Sequence, residues 1–419
     1  MPMSDYTRAS LESVFREEHG RLLATLVRRY GDLDLAEEVT SEALEAALHH
    51  WPIDGVPRKP GAWLLTTARR RAVDRLRRDQ SYAAKLAILH VEQDSAAPVS
   101  PADEPSQEFP DERLQLFFTC AHPALQSDDR LAITLRCLAG LTTAEVARVF
   151  VIPPSTAAQR ISRAKKKIRD ARIPFRVPDT GELPQRLPGV LQVVYSIFTE
   201  AYSASSGENL IRLDLAEEAL RLGRILRALL PNEREGSGLL ALMLSTHARH
   251  AARTRDGMVL MLDEQDRGLW DRDMIAEGSA LVVHALTGGN PGPYGVQAAI
   301  ASLHAEAPTA AETDWPQIVE LFGVLATIAP SPIVSLNRAA AVAMRDGPHV
   351  GLELLESLRS DPQLQSYHPF HAARADLLCR CNRFDEAAGD FRRALALAGS
   401  EPDRRYLRRR LMEAERHDG

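Results

Sequence analysis

Pro153 and Pro154 interrupt a stretch whose spacing is otherwise helical, and they leave residues 142–172 (TTAEVARVFVIPPSTAAQRISRAKKKIRDAR) few ways to fold. Neither proline can continue a helix, because the ring removes an amide donor and clashes with the preceding turn. The stretch therefore predicts two helices joined by a tight turn. Thr142 followed by Glu145 is a capping-box start, worth roughly 1 kcal/mol. Val146 and Val149 give the first helix a short apolar stripe, and Ser155 is placed to cap the second. Along that second helix Ala157, Ile161, Ala164 and Ile168 recur at helical intervals and share one buried face. Ser155, Thr156, Gln159, Arg160 and Arg163 are left outward near its start, with Lys165, Lys166, Lys167, Arg169 and Arg172 beyond. This is the helix-turn-helix plan, in which first-turn side chains reach base edges and later cations lie beside phosphates. A basic helix is often only a solvated face, so the rest of the chain has to weigh in.

A length of 419 residues suggests two to four domains. The net charge of −6 looks wrong for a DNA binder until it is divided. Residues 1–176 carry 26 Lys/Arg against 24 Asp/Glu, or +2; the remainder carries 25 against 33, or −8. Within the first part the positive charge is concentrated, and local field matters more than the total. Four cysteines without a pairable framework fit a reducing cytoplasm, and the expected location is the cytoplasm, associated with the nucleoid. No apolar run is long enough to span a membrane, and no secretory leader pattern opens the chain. No P-loop, dinucleotide glycine pattern, nucleophile elbow or zinc spacing appears, so neither catalysis nor a cofactor or metal is expected.

Residues 10–30 predict an amphipathic helix with Leu11, Val14, Phe15, Leu22, Leu26 and Val27 inward. A second helix, 34–48, packs Leu35, Val39 and Leu44 and presents Glu37, Glu38, Glu42 and Glu45 as an exposed acidic face. A Pro-rich loop, 51–60, leads to a third helix, 61–78, with Trp63, Leu64, Ala68, Val73 and Leu76 for the core. Around it stand Arg58, Lys59, Arg69, Arg70, Arg71, Arg75, Arg77 and Arg78 against the single acid Asp74, a density beyond what solubility requires.

AEEVTSEALEAA from Ala36, then a loop, then AWLLTTARRRAVDRLRR resembles region two of bacterial sigma factors of the extracytoplasmic-function type. Where the family writes Asp-Leu-Val-Gln, this chain has Glu38, Val39, Thr40 and Ser41. The familiar Ile and Asn positions of the second motif hold Thr67 and Arg70, while Trp63, Leu64, Ala68, Asp74 and Arg77-Arg78 match. Two helices after Asp111 and the helix-turn-helix resemble region four, whose pattern is met by Thr156, Ala157, Arg160, Ile161, Arg163, Ala164 and Lys165. Between them, residues 91–110 form an acidic, Pro-rich linker with no basic residue, a segment that in this family threads the polymerase cleft.

From residue 174 the chain becomes Ala/Leu-rich, helical and acidic. SLNRAAAVAMRDG-PHVGLELLESL and HAARADLLCRCN-RFDEAAGDFRRALAL each predict helix, turn, helix, with Leu352 matching Ala387 at a 35-residue step. Ala375, Phe384, Ala387, Phe391 and Ala394 meet the tetratricopeptide pattern. Polar-aromatic stretches at 195–205, 263–272 and 289–299 interrupt the array. For 263–272 a capped turn and a functional surface are both open. These segments resemble the subgroup of such sigma factors that bears a tetratricopeptide-like C-terminal extension.

The expected architecture is all-α: region two (8–90), linker (91–110), region four (111–173) and a helical-repeat extension (174–419). The resemblance implies a sigma factor directing promoter-specific initiation, with core RNA polymerase and promoter DNA as partners and no membrane. Glu37, Glu38, Ser41 and Glu42 would meet the polymerase clamp. Arg58, Lys59, Arg69, Arg70, Arg71, Arg75, Arg77 and Arg78 would take the −10 element, and Ser155, Thr156, Gln159, Arg160, Arg163, Lys166 and Lys167 the −35 element. The acidic extension either contacts the basic sigma domains and inhibits, or supplies a contact that activity requires. Two rivals are a helix-turn-helix activator with a repeat-type sensor domain, and a repeat scaffold with an incidental basic head.

Overall fold

The computed structural model describes residues 5–78, 112–150, 152–202, 212–255 and 258–417, which divide into two compact units, Met1–Val193 and Val194–Gly419. The expected linker, 91–110, and the 79–90 end of region two lie outside the described residues. Apart from a two-residue antiparallel hairpin, Thr254–Arg255 (β1) with Met258–Val259 (β2), and two short 3-10 turns, the described elements are α-helices.

In the first unit α1 (Asp5–Tyr30), α2 (Leu33–Asp54) and α3 (Pro60–Arg78) pack mutually around Leu22, Leu23, Leu26, Val39, Leu64 and Ala68, all sealed from solvent. Asp32 caps α2, its carboxylate accepting from the amides of Asp34 and Leu35. Helix α2 runs past its expected end at Leu48 and carries Pro52 in its last turn. The reason is Trp51: the extra turn buries it to 3% exposure, edge-on against Trp63 at 5.4 Å and beside Phe15 at 5.7 Å. Gly55, at φ 85°, then stops the helix in a conformation that favours glycine.

The next four described helices are α4 (Arg113–Cys120), α5 (Ser127–Cys137), α6 (Thr143–Val149) and α7 (Pro154–Asp170). Both halves of the capping box on α6 form: the Glu145 amide donates to Thr142 Oγ1 at 3.2 Å, and the Thr142 amide donates to Glu145 Oε2 at 2.7 Å. Ser155 does not cap α7. The helix begins at Pro154, whose missing amide is one that a first turn leaves unbonded anyway. Ala157, Ile161 and Ala164 are buried and Ile168 partly so.

Composition placed the end of region four near residue 174, yet the first unit continues to Val193, inside α8 (Leu183–Tyr202). The opening turns of α8 lie against α4: Arg186 donates to the Phe118 carbonyl at 3.1 Å, and Leu187 and Val190 are buried.

The second unit continues with α9 (Leu213–Leu229) and α10 (Arg234–His247), and α10 packs against α9, α11 (Arg272–Leu286) and α12 (Pro293–Glu306). A Cβ on Gly238 of α10 would stand 2.6 Å from the Gly295 amide nitrogen of α12, so these helices cross backbone to backbone. Helices α13 (Trp315–Ile328), α14 (Pro332–Asp346), α15 (Pro348–Ser357), the short α16 (Pro362–Gln365), α17 (His368–Arg380), α18 (Phe384–Leu397) and α19 (Glu401–His417) complete the stack. The pairs α14/α15 and α17/α18 are the two hairpins read from the repeat; Leu352 and Ala387 are both buried in their shared core. Arg374, 6% exposed, joins the hairpins by bonding Glu356 of α15 and Asp390 of α18.

Candidate nucleic-acid and polymerase interface

The outer face of α7 divides into free and tethered side chains. Ser155, Gln159, Lys166 and Lys167 are exposed, and Thr156 is half-buried. Lys166 and Lys167 form no ion pair with any described residue. Arg160 is not free: its guanidinium lies 5.4 Å over the Phe150 ring and bonds Asp128 at 3.0 Å, at 20% exposure. Arg163 bonds Asp129 at 2.8 Å, and both acids stand in the first turn of α5, where the helix dipole favours them.

Toward its C-terminal half α7 meets region two. Lys165 bonds Asp34 at 2.9 Å and also Glu37, and Arg169 bonds Asp34 at 3.0 Å. Glu37 additionally receives the Arg136 guanidinium of α5. The exposed acidic face expected on α2 is thus corrected at Glu37, which is 8% exposed. Burial pushes its carboxyl up, but Arg136 and Lys165 outweigh that and hold it below the usual carboxylate range. Burial likewise opposes the charge on Lys165, and Glu37 and Asp34 together raise its pKa above the usual value. Tight packing accompanies the charges: a Cβ on Gly20 of α1 would sit 2.9 Å from the Leu138 carbonyl oxygen, and Arg28 of α1 bonds the buried Glu112.

On the remaining acidic face Glu38 and Ser41 are exposed, while Glu42 is half-buried. Arg75 bonds both Glu38 and Glu42, the latter at 3.1 Å, and Arg71 approaches Glu42 at 3.8 Å. Two of the basic residues expected to face DNA are thereby turned toward α2. Arg58, Lys59, Arg70 and Arg77 are exposed and Arg69 is half-buried; the side chain of Arg78 lies outside the described residues. Near Arg58 and Lys59 in the chain, Ile53 is 83% and Val56 48% exposed, an apolar edge across the last turn of α2 and the loop that follows it. Sequence reasoning missed Asp34 and Arg136. Asp34 stands at the start of its expected helix with no local partner, and Arg136 is a cation at the end of α5 whose partner lies 99 residues away.

Three family matches cover parts of the chain: Sigma-70 region 2 over residues 14–82, Sigma-70 region 4 over 118–168, and a Family of unknown function (DUF6596) over 186–286. The chain is similar to "Uncharacterized protein R00370" of Rhizobium meliloti, 39% identical over 392 residues, covering 93% of this chain and 92% of that protein. It is also similar to "ECF RNA polymerase sigma factor SigK" of Mycobacterium tuberculosis, 29% identical over 40% of this chain and 88% of that protein. "Probable ECF RNA polymerase sigma factor SigI" of the same species is 23% identical over 48% of this chain and 66% of that protein. No solved structure matches. Three packed helices with a basic third, and a helix-turn-helix with a basic second helix, define a sigma-70-type initiation factor, which works with core RNA polymerase and promoter DNA. Within that class, the chain belongs to the extracytoplasmic-function type of RNA polymerase sigma factor and carries a helical C-terminal extension. No described helix is long and apolar enough to cross a membrane.

Proposed function

We propose a division of labour among the residues described above. Gln159 and Arg160 read bases of the −35 element, with Ser155, Thr156 and Arg163 beside them, while Lys166 and Lys167 hold phosphates. Arg58, Lys59, Arg69, Arg70, Arg71, Arg75, Arg77 and Arg78 take the −10 element. A base leaving the stack there would meet the apolar edge of Ile53 and Val56, which offsets part of the few kcal/mol that unstacking costs. Glu38, Ser41 and Glu42, with Glu37 once released, dock on polymerase. The protein performs no covalent chemistry, acts in the cytoplasm, and its extension supplies a contact that activity requires.

The observation that carries this reading furthest is the ion-pair cluster of Asp34, Glu37, Arg136, Lys165 and Arg169. The −10 and −35 elements lie about 25 base pairs apart, or about 85 Å of duplex at 3.4 Å per base pair. Two domains in direct side-chain contact do not span that distance. The described arrangement is therefore the form held off DNA, and binding to promoter and polymerase separates α2 from α7. Run-off transcription with core polymerase tests the roles, and permanganate footprinting tests strand opening. If polymerase and protein are both bound and no thymine near the start site becomes reactive, the assignment fails. A plain activator would bind DNA in that assay without opening it.

A further inference from the structure

Many arginines in the second unit are matched to acids, among them Arg221 to Glu218, Arg224 to Glu277, Arg374 to Glu356 and Asp390, Arg409 to Glu264, and Arg410 to Asp376. One enclosed group is not. Arg249, Arg253 and Arg267 form no ion pair among the described residues, although they lie close together. The segment between α10 and α11 folds back to gather them. The Asp271 amide donates to the Ala248 carbonyl at 2.9 Å, and Arg267 donates to the carbonyls of His304 and Ala307 at 2.9 and 2.5 Å.

Aromatic faces line the cluster. Arg249 and Arg267 lie 5.9 and 4.4 Å from the Trp270 ring centre, and Arg253 lies 4.9 Å from that of Tyr202. The Arg249 Nε, one Nη of Arg267, the Trp270 indole nitrogen and the His304 Nδ1 are closed to solvent without a hydrogen-bond partner among the described residues. Burial, then the neighbouring Arg253, brings Arg249 down to about 10. Burial, then Arg249 and Arg267, brings His304 down to about 4, so it is neutral at pH 7.

The nearby acids are engaged elsewhere. Asp271 caps α11 through the Met274 amide, Asp266 accepts from the Gly268 amide, and Glu264 holds Arg409. Asp403, the acid that faces Arg253, accepts from the Ser400 hydroxyl at 2.6 Å. Arg267 has a structural use in the two carbonyls that it ties. Arg253 has only Asp403 facing it, without an ion pair, and the closed Nε of Arg249 has no partner among the described residues; an enclosed guanidinium without a counter-charge is costly to fold.

We infer that this arginine–aromatic cluster of the extension binds a small oxyanion of at least two negative charges, gripped by Arg249 and Arg253 against Tyr202 and Trp270. Guanidinium forks match the paired oxygens of phosphate and carboxylate groups alike, so the shared class is a small phosphorylated or polycarboxylic molecule. The site lies wholly within the second unit and takes Tyr202 and Trp270 from two of the polar-aromatic stretches that interrupt the helical array.

Inorganic pyrophosphate and citrate, titrated separately into the full-length protein at matched ionic strength, test the inference by calorimetry and thermal unfolding. At least one of them is expected to bind and to raise the unfolding midpoint, and which one does so identifies the phosphate or carboxylate source. Arg249→Gln with Arg253→Gln should weaken binding about tenfold or more. Lys166→Gln with Lys167→Gln, on the DNA-facing helix, should leave binding unchanged. In the absence of anion, Arg249→Gln should raise the midpoint, because it removes an uncompensated charge; a purely structural arginine would lower it. Should the double variant fail to fold, Arg253→Lys keeps the charge without the fork and is expected to weaken binding severalfold. Failure of both anions to bind overturns the inference, and so does binding lost only in the Lys166/Lys167 variant.

Discussion

Lys165, on the helix built to face DNA, gives its ammonium to Glu37, on the helix expected to face polymerase. One contact therefore occupies both working surfaces, and breaking it should free both. Glu37→Gln removes the charge that holds Lys165 and Arg136, and the loss should be larger than for an exposed pair, which is worth about 0–1 kcal/mol. Energy transfer between dyes on α3 and α7 should fall, and affinity for an isolated −35 duplex should rise severalfold. Unchanged transfer with unchanged affinity would mean that the pair does not hold the domains together.

Acidity should open the same contact. The Glu37 carboxyl is held below its ordinary 4.5, so its contribution is fully present above that value and is lost as pH falls through the lower, folded one. Lys165 has a raised pKa, so its contribution persists from acid upward and is lost only above its ordinary 10.5. The contact should therefore be intact from about pH 5 to pH 10 and should loosen in acid. Energy transfer followed during acidification should fall below pH 4.5 in the native protein and lose that step in Glu37→Gln.

Cations on the recognition helix should separate by function. Lys166 is exposed, so Lys166→Ala should weaken all promoters alike and lower the salt slope by about one. Gln159 stands near the helix start, where a good bidentate base contact discriminates by roughly 1–3 kcal/mol. Binding measured across −35 variants should change in rank for Gln159→Ala or Arg160→Ala, and only in level for Lys166→Ala. An unchanged rank in both of the first two would refute the proposed docking.

Where the chain is cut should matter. Ending it after Arg176 removes Leu187 and Val190, which are buried in the first unit, along with the Arg186 bond to Phe118. A chain ending after Tyr202 should keep a higher unfolding midpoint than one ending after Arg176. Both should support less promoter-directed transcription than the full chain. A shortened chain more active than the full one would make the extension an inhibitor.

Periodicity and capping made the helix-turn-helix legible, because Thr142, Glu145, Val146 and Ile161 act on neighbours within a few residues. The hairpin of α17 and α18 was legible for the same reason. Two things were not. The end of region four was set at a change of composition near residue 174, and that change carries no sign that the first compact unit runs on to Val193, with Leu187 and Val190 of α8 buried. Glu37 belonged by sequence to a solvated acidic row with Glu38 and Glu42; only the fold brings Arg136 and Lys165 to it. The same holds for Arg249 and Arg253, which look like any helix-end cations until the acids around them are seen to be taken.

Asp34 and Glu37 occupy α7 as a phosphate pair would, so the protein carries an internal decoy for its own DNA-binding helix. A tethered decoy acts at an effective concentration in the millimolar range. Random chromosomal DNA, which binds such helices with dissociation constants of about 10⁻⁴–10⁻⁶ M, has to displace it before gaining any contact. The surcharge falls equally on every sequence, but under the proposed docking of α2 on polymerase only a promoter presented together with polymerase compensates it. Idle copies of the protein would thereby be kept from accumulating along the chromosome.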